Sequence, residues 1–498
     1  MIEPTGRLDD ARRLIDQRSY FVVHAPRQTG KTTSLRALAR VLVAEGRYAA
    51  LHVSCEAGQP AGNDYAAAQR AILDELRLQA SLALPPELAP PPPGAAQVSE
   101  LSLLRAMLAG WAAACPRPLV LFFDEIDSLA GRSMQAVLRQ LRAGHPDRPQ
   151  GFPWSVVLCG MRDVRDYKLL SGGREPHLGS ASPFNILVES IRMPNFAAPE
   201  VAALYGQHTA ETGQPFTQEA VDLAFQLTQG QPWLVNALAR EVLEKMGVRP
   251  PETIGAAHIE AAKDRMIQTR ATHLDSLVAR LGEPRVCRVI EPILIGGMTF
   301  DTTFDDDFSY VRDLGLVEQR EGAVVIANPI YQEIIPRVLS SQVQAAISDR
   351  PAWFMAADGT LDMERLVQGF LTFWRRNGEL LLKGMPYHEA APHLVFMAYL
   401  QRVVNAGGRI QREFAVGTGR ADLLVEYGGR EDVFELKLWR GGYTLDEGLE
   451  QVARYAQRLG RDRGYLLLFD PAVATPWEER GRVEEMRQEG VTIVVVRA

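Results

Sequence analysis

Apolar runs alternate with amphipathic, helix-like stretches in the first part of the chain. Residues 8–19 carry apolar side chains at helical spacing, and residues 20–24 form an apolar run typical of a strand that is buried on both faces. A turn-rich loop at 25–30 and a helical stretch at 32–45 follow, before a second apolar run at 48–54. This order of strand, loop, helix and strand predicts the beginning of a parallel α/β sheet.

The pattern changes along the chain and predicts an α/β protein of several domains. We expect a parallel-sheet core at 1–198, a helical segment at 199–280 and helices with a two-stranded ribbon at 281–345. A helical linker at 346–378 then leads to a second mixed α/β domain at 379–498. A chain of 498 residues has room for three or four domains of ordinary size.

Composition excludes several classes of protein. The formal net charge of −7 argues against a coat of positive charge, although a local basic groove remains compatible with nucleic-acid binding. The four cysteines lie far apart, so neither a zinc site nor a disulfide framework is expected. Without a signal peptide or an apolar stretch of the ~20 residues that a membrane span needs, we expect a cytoplasmic protein with no membrane partner.

The loop after the first strand has the composition of a phosphate-binding loop. Its backbone N–H groups and the following helix N-terminus would surround a β-phosphate. We expect Lys31 to reach the β- and γ-phosphates, and the Thr32 hydroxyl to ligate Mg²⁺. The usual pattern begins with Gly, so Ala25 must have ordinary backbone dihedral angles. The predicted nucleotide-binding residues are Ala25, Pro26, Arg27, Gln28, Thr29, Gly30, Lys31, Thr32 and Thr33.

A second motif follows the apolar run at 118–123, where the chain continues directly into two carboxylates. Asp124 is expected to hold Mg²⁺ beside Thr32, and Glu125 to act as the base on the attacking water. Phosphoryl transfer depends mainly on such positioning and charge neutralisation. The alternative is a strand followed by an acidic helix cap.

Two arginines are candidates for contact with the γ-phosphate. Arg162 follows the apolar run at 154–159, and Arg192 lies in the segment before Pro194. A solvated surface charge is the alternative for each, and Arg162 is the preferred sensor.

These motifs resemble those of AAA-like ATPases in the group that spans archaeal ATPases and the signal-transducing STAND enzymes. Members carry a Gly-x-Pro motif in a helical lid, and Gly230 and Pro232 match it, although a simple helix-start turn is an equal alternative. The resemblance covers residues 5–270. It implies a parallel-sheet ATPase core with a helical lid, ATP and Mg²⁺ as cofactors, and an ATPase module through which copies can associate.

The middle segment has the outline of a winged helix, which the related ATPases often carry. An amphipathic helix ends at Gly315, and a hairpin with its turn near Gly322 follows. The helix region contains the acidic residues Asp305, Asp306, Asp307 and Asp313. Because carboxylates repel phosphates, we favour a structural or regulatory role over DNA binding.

The last segment carries a candidate metal site on two adjoining strands. Residues i and i+2 of a strand share a face, so Glu435 and Lys437 point the same way, and a hairpin would bring Asp422 beside them. Two carboxylates suit Mg²⁺, which prefers oxygen ligands. The lysine can orient the attacking water and stabilise a pentavalent phosphate. A cross-strand charge pair on a surface hairpin is the alternative.

This set resembles the PD-(D/E)xK nuclease superfamily over about residues 379–475. Gln451 and Tyr455 lie on one face of a helix and match a Gln-x-x-x-Tyr element of several branches. The resemblance implies a restriction-endonuclease-like domain with a further acid upstream, Glu389 or otherwise Glu413. Ala421 departs from the proline that usually precedes the aspartate.

The leading hypothesis is an ATPase that gates a fused Mg²⁺-dependent endonuclease acting on DNA, with RNA as an alternative substrate. The opposing hypothesis is a nucleotide-switched signalling or scaffold protein with a catalytically silent nuclease fold. Metal binding at Asp422 and Glu435 discriminates between them.

Overall fold

The chain divides into two compact units. The first comprises Met1–Arg265 with Arg312–Gly315, and the second comprises Met266–Val311 with Leu316–Ala498. The computed structural model describes residues 6–92, 98–129, 131–161, 186–268, 279–294, 306–320, 322–340, 347, 351–385, 390–404, 408–416, 419–470 and 481–498.

A five-stranded parallel sheet forms the centre of the first unit, with the order β2-β3-β4-β1-β5. Its strands are β1 (Tyr20–His24), β2 (Ala49–Ser54), β3 (Leu119–Asp124), β4 (Ser155–Gly160) and β5 (Leu187–Arg192). The first four match the predicted apolar runs and are almost wholly buried. β5 was not predicted, because it is an exposed edge strand whose sequence, Leu-Val-Glu-Ser-Ile-Arg, is only half apolar.

Helices cover both faces of this sheet. They are α1 (Asp9–Asp16), α2 (Lys31–Ala44), α3 (Tyr65–Ala83), α4 (Leu103–Ala114) and α5 (Gly131–Gly144). Phe21 and Val23 of β1 pack in the core beneath α1 and α2, whereas Tyr20 and Val22 pack in the core beneath α3, α4 and α5. The alternation of strand side chains between two faces therefore produces two apolar layers.

The remainder of the first unit is helical, as the sequence pattern predicts. Its helices are α6 (Ala198–Thr212), α7 (Gln218–Thr228), α8 (Pro232–Arg240) and α9 (Ala256–Gln268). Gly230, between α7 and α8, has φ +68°, and a Cβ there would lie 1.8 Å from the Phe196 carbonyl oxygen. Glycine is required at this position because the two backbone segments approach so closely.

The second unit begins with helices and a short hairpin. These elements are α10 (Pro284–Leu294), α11 (Asp306–Asp313), β6 (Val317–Arg320), β7 (Ala323–Ile326) and α12 (Pro329–Leu339), although the last two residues of α11, Arg312 and Asp313, belong to the first unit. β6 and β7 are antiparallel, with Arg320 opposite Ala323. The predicted order of helix and hairpin is present.

A six-stranded sheet with helices on both faces follows. Its elements are α13 (Met363–Gly384), α14 (Ala391–Val404), β8 (Gly408–Val416), β9 (Gly419–Tyr427), β10 (Arg430–Leu438), α15 (Gly442–Arg458), β11 (Arg463–Phe469), β12 (Arg482–Gln488) and β13 (Val491–Arg497). The strand order is β12-β13-β11-β10-β9-β8. β8, β9 and β10 form an antiparallel meander, whereas β11 pairs parallel to β10 after the crossover through α15. A mixed α/β domain is thus present at the predicted place.

Helix α13 differs from the linker that we predicted at 346–378. It crosses the expected boundary, and its Phe370 and Trp374 pack against Phe469 of β11, with ring centroids 6.3 and 5.4 Å apart. The helix is therefore a covering layer of the sheet. At 22 residues it is long but amphipathic, and no helix in the described ranges has the length and apolar character to cross a membrane.

Candidate functional site

The loop between β1 and α2 has the backbone of a phosphate cradle. Gly30, with φ +87°, turns the chain into α2, and Gln28 also adopts a positive φ of 59°. Ala25 has no such angle, so alanine is tolerated at the position where glycine is usual. Pro26, Arg27 and Thr33 lie in the same loop and helix start, and the Thr29 hydroxyl donates to the Pro26 carbonyl at 2.9 Å.

Lys31 lies over the loop that it follows. Its Nζ donates to the carbonyl oxygens of Ala25 and Pro26, each at 2.7 Å. Burial lowers the pKa of Lys31, since desolvation disfavours the ammonium form. An anionic phosphate in the cradle would restore that lost solvation, so the position suits a β- or γ-phosphate.

Thr32 and Asp124 meet across the edge of the sheet. The Thr32 hydroxyl donates to Asp124 Oδ2 at 2.6 Å, and His52 Nε2 lies 3.0 Å from the same oxygen. Burial alone would raise the pKa of Asp124, but the hydrogen bonds from His52 and Thr32 lower it to about 2. The structure therefore brings the two predicted Mg²⁺ ligands of the ATPase site together, with the carboxylate ionised.

Glu125 is the next residue, and its backbone is turned away from the strand by a left-handed φ of 54°. Ser54, at the end of β2, donates its hydroxyl to Glu125 Oε2 at 2.8 Å. Desolvation raises the pKa of Glu125, and this hydrogen bond opposes the rise. A carboxylate with a raised pKa and one side-chain donor is suited to accept a proton from water.

The other predicted groups of this site have different outcomes. Arg162 lies outside the described residues. Arg192 ends β5 beside His24 of β1, and its guanidinium donates to the Arg312 carbonyl at 3.2 Å. Pro232 is buried at the first turn of α8. Gly230, two residues before Pro232, accepts a hydrogen bond at its carbonyl from Phe196 N at 2.8 Å.

The acidic residues near α11 are largely engaged in internal contacts. Asp307 pairs with Arg285 at 2.7 Å and with Arg288 at 2.5 Å. Asp313 is only 2% exposed and lies 3.4 Å from His24 Nδ1. Asp305 is outside the described residues. Because Asp307 and Asp313 are already paired with cationic or titratable side chains, they repel a phosphate less than unpaired carboxylates would.

The C-terminal candidate site lies where β9 and β10 pair. The paired register of β9 and β10 ends with Leu423 opposite Phe434, so Asp422 and Glu435 are the residues next to its last pair. Asp422 Oδ2 accepts from the backbone N–H of Leu436 at 2.8 Å. The hairpin therefore brings the two carboxylates close enough for Asp422 to raise the pKa of Glu435. A pocket beside Asp422 is also lined by His393 and Met397 of α14.

Glu435 is buried at 4% exposure. Lys437 Nζ lies 3.4 Å from its Oε1, whereas Oε2 has no hydrogen-bond partner among the described residues. Desolvation and the neighbouring Asp422 raise the pKa of Glu435 well above its usual value, and Lys437 opposes that rise. A buried carboxylate oxygen without a partner is costly, so this position favours a cation.

Helix α15 places further polar groups beside Lys437. Glu447 Oε1 lies 3.7 Å from Lys437 Nζ and accepts from Gln451 Nε2 at 3.2 Å. Tyr455, one turn beyond Gln451, is buried in the apolar core between α15 and the sheet. Glu389 lies outside the described residues, and of Glu413 only its place in β8 is described.

In the described part of the chain, two carboxylates at this place, Asp422 and Glu435, could ligate a metal ion. No group of three or more His, Cys, Asp or Glu side chains suited to a metal ion occurs among the described residues. Asp422 and Glu435, with the partnerless Glu435 Oε2, nevertheless fit a hard cation that completes its shell with water and phosphate oxygens.

Sequence reasoning missed three polar residues at the two sites: His52, Ser54 and Glu447. His52 and Ser54 lie in or at the end of an apolar strand, so only strand pairing places them beside Asp124 and Glu125. Glu447 shares a helix face with Gln451 at a spacing of four, and this was the one available signal.

Comparison with known proteins identifies part of the first unit. Residues 6–154 match the AAA ATPase domain family, so this segment is a P-loop ATPase domain, a nucleotide-binding module. No curated protein matches the chain.

Three solved structures illustrate the similarity. A Walker-type ATPase of Pyrococcus abyssi is 13% identical with a TM-score of 0.46, covering 67% of this chain and 96% of the other. Cdc6p from Pyrobaculum aerophilum is 13% identical with a TM-score of 0.35, covering 68% and 93%. The RuvB Holliday junction branch migration motor of Thermotoga maritima is 12% identical with a TM-score of 0.34, covering 67% and 93%. Because these TM-scores are low, the roles of the site residues follow from the contacts within this chain and not from the three structures.

Proposed function

We propose that the chain binds and hydrolyses Mg²⁺-ATP at the phosphate loop, and that this ATPase cycle gates a Mg²⁺-dependent DNA endonuclease in the C-terminal sheet domain. The ATPase half is carried by one observation. The Thr32 hydroxyl and the Asp124 carboxylate, 92 residues apart in the chain, lie 2.6 Å from each other beside Lys31.

Each residue of the ATPase site has its own role in the proposed phosphoryl transfer. The loop N–H groups and Lys31 would bind the phosphates, and Thr32 and Asp124 would hold the cation. Glu125 leaves Ser54, orients the attacking water and accepts its proton. A divalent cation at either site would neutralise the charge that develops on the phosphate oxygens.

The nuclease half is supported by the cluster of Asp422, Glu435 and Lys437 on one face of β9 and β10. A buried Glu435 whose Oε2 has no hydrogen-bond partner among the described residues has no evident structural benefit, because an apolar or amide side chain would fold at lower cost. The antiparallel meander of β8, β9 and β10, followed by the parallel β11, agrees with the strand order expected for the PD-(D/E)xK fold.

In this proposal the two carboxylates hold the cation, and Lys437 orients the attacking water on the scissile phosphodiester. Glu447 keeps the Lys437 ammonium on the same side of β10 as Glu435. Gln451 in turn donates to Glu447, which fixes the carboxylate that faces the lysine. Among the described contacts of Glu435 and Glu447, Lys437 is the cationic side chain that would face the scissile bond.

The test is DNA cleavage by the full-length protein. Plasmid and linear DNA, and a matched RNA, are incubated with Mg²⁺ or Mn²⁺, with and without ATP. We expect metal-dependent DNA cleavage that is lost in Lys437→Ala and kept in Lys383→Ala, whose exposed lysine pairs with Glu379.

Each outcome has a definite meaning. A dependence of the cleavage rate on ATP would support gating, and equal rates with and without ATP would contradict it. Cleavage of RNA alone would change the substrate. No cleavage under any condition would favour the nucleotide-switched scaffold, in which Lys437 serves only as the partner of Glu435 and Glu447.

A further inference from the structure

We infer that His52 is a positioning residue of the ATPase site, which holds Asp124 in the orientation that the bound cation requires. This inference rests on the proposed ATPase function, because it concerns the same site. His52 lies in the middle of β2, on the strand next to β3, and is 6% exposed. A polar ring buried in an apolar strand needs partners, and His52 has two.

The first partner selects the tautomer of the ring. Arg36 of α2 donates from Nε to His52 Nδ1 at 3.4 Å. A guanidinium has no acceptor, so Nδ1 must present its lone pair in this contact. A ring that accepts at Nδ1 carries its hydrogen on Nε2. Arg36 thus selects the tautomer that can donate toward β3.

The second partner is the metal-binding carboxylate. His52 Nε2 lies 3.0 Å from Asp124 Oδ2, which also accepts from the Thr32 hydroxyl at 2.6 Å. Asp124 Oδ1 accepts from the backbone N–H of Glu125 at 2.9 Å. These donors from α2, β2 and the residue after β3, together with a side-chain hydrogen bond from Cys159 of β4, therefore determine the rotation of one carboxyl group.

Removal of His52 would weaken the constraint on the side-chain torsion of Asp124. Thr32 can turn with the carboxylate because its hydroxyl rotates, and the N–H of Glu125 fixes only Oδ1. The imidazole of His52 is a rigid donor to Oδ2 because its ring is buried within a strand. Groups that orient a ligand in this way typically change metal affinity by about 10–100-fold when they are removed.

His52 and Arg36 make no direct contact with a nucleotide in the proposal. His52 and Arg36 act through Asp124, so they should influence the cation and not the phosphates. A purely structural role in packing β2 against β3 would instead weaken nucleotide binding with and without Mg²⁺ to the same degree. The Mg²⁺ dependence of nucleotide affinity therefore separates the two roles.

The experiment titrates a fluorescent ATP analogue into the full-length protein, first in EDTA and then across a Mg²⁺ series. The variants are His52→Leu, which removes the donor, and His52→Gln, whose amide nitrogen can replace Nε2. Arg36→Met removes the tautomer constraint alone. His258→Gln, at a lid histidine that pairs with Glu252, is the matched control.

We expect His52→Leu to bind the analogue in EDTA as the wild type does, but to need about 10–100-fold more Mg²⁺ for half of the metal-dependent gain. His52→Gln should recover most of that loss, Arg36→Met should show a smaller loss in the same direction, and His258→Gln should match the wild type.

Two results would overturn the inference. One is an unchanged Mg²⁺ dependence in His52→Leu, or in Arg36→Met if the leucine variant does not fold. The other is an equal loss with EDTA and with Mg²⁺. Failure of the wild type to bind the analogue at all would instead overturn the proposed ATPase function.

Discussion

Asp124 and Glu435 are both carboxylates buried at a sheet, yet their surroundings are opposite. Asp124 is 1% exposed and accepts hydrogen bonds on both oxygens, and its pKa falls to about 2. Glu435 is 4% exposed, with one oxygen near Lys437 and the other without a partner in the described residues, and its pKa is raised. Burial is nearly the same, so the hydrogen-bond donors around Asp124 and the second carboxylate beside Glu435, Asp422, decide the direction.

The difference indicates how each site meets a cation. At Asp124 the protein already holds the charged form, so a cation finds an ionised and oriented ligand. At Glu435 burial and Asp422 disfavour the charged form and only Lys437 opposes them, so a cation there would favour ionisation of the carboxyl. The ATPase site is preorganised by hydrogen bonds, whereas the C-terminal site depends on the ion to complete it.

The largest expected effect concerns Glu125. This residue belongs to the ATPase site, but its pKa is raised, as is that of Glu435. Glu125→Gln removes the proposed base and should slow steady-state ATP hydrolysis by about 10²–10⁴-fold. ATP affinity should be unchanged, because the phosphates bind to the loop and Lys31. Phosphate release and nucleotide titration measure the two quantities.

Glu87→Gln, at an exposed glutamate of the same unit, is the control for Glu125. Normal turnover in Glu125→Gln would assign the base elsewhere and leave Asp124 as the only functional carboxylate of the pair.

A second effect contrasts the two lysines. Lys31 is held by two carbonyl oxygens, whereas Lys437 lies between two carboxylates. Lys31→Ala should weaken ATP binding by at least about tenfold, since a hydrogen bond to a charged group contributes about 1.5–3 kcal/mol. Lys245→Ala, at a half-exposed lysine of the same unit, should bind normally in the same titration. Wild-type affinity in Lys31→Ala would contradict the phosphate-loop assignment.

The sequence predicts the ATPase side of this comparison better than the other. An apolar run into Gly30, Lys31 and Thr32, and another into Asp124 and Glu125, combine local composition with a known order of elements. Local patterns of this kind predict four of the five strands in the first sheet. β5 was not predicted because it is an exposed edge strand, and such a strand need not have an apolar sequence.

The residues that set the pKa of each carboxylate could not be predicted in the same way. A histidine such as His52 in an apolar run has no spacing signal that reveals its partner. Its pairing with Asp124 follows from the adjacency of β2 and β3, which the chain order alone does not give. Glu447 likewise meets Lys437 only through the crossover from β10 to α15.

The third prediction tests the stabilised carboxylate. The pKa of Asp124 is about 2 in the folded protein and about 3.9 in an unfolded chain, so ionisation stabilises the fold by about 2.6 kcal/mol. This stability is present above pH ~4 and is lost as the pH falls through about 2. Asp124→Asn should therefore lower the free energy of unfolding in urea at pH 7 by about that amount.

The difference between Asp124→Asn and the wild type should shrink at pH 3, where part of the ionisation energy is already lost. A variant as stable as the wild type at pH 7 would mean that the three hydrogen bonds do not favour the charged form.

The smallest expected effect has the opposite sign and tests the other half of the comparison. Because the pKa of Glu435 is raised in the folded state, its carboxyl costs stability above the unfolded value of about 4.3, and the cost disappears at lower pH. In EDTA at pH 8, Glu435→Gln should raise the free energy of unfolding by about 1 kcal/mol, the scale of one unsatisfied buried polar group. Excess Mg²⁺ or Mn²⁺ should stabilise the wild type and not the variant. Glu450→Gln, at an exposed position on α15, should change neither quantity. A Glu435→Gln protein that is less stable than the wild type in EDTA would show that the pairing of Glu435 with Lys437 outweighs desolvation. The two sites would then differ in composition, but in both of them the fold would favour the ionised carboxylate.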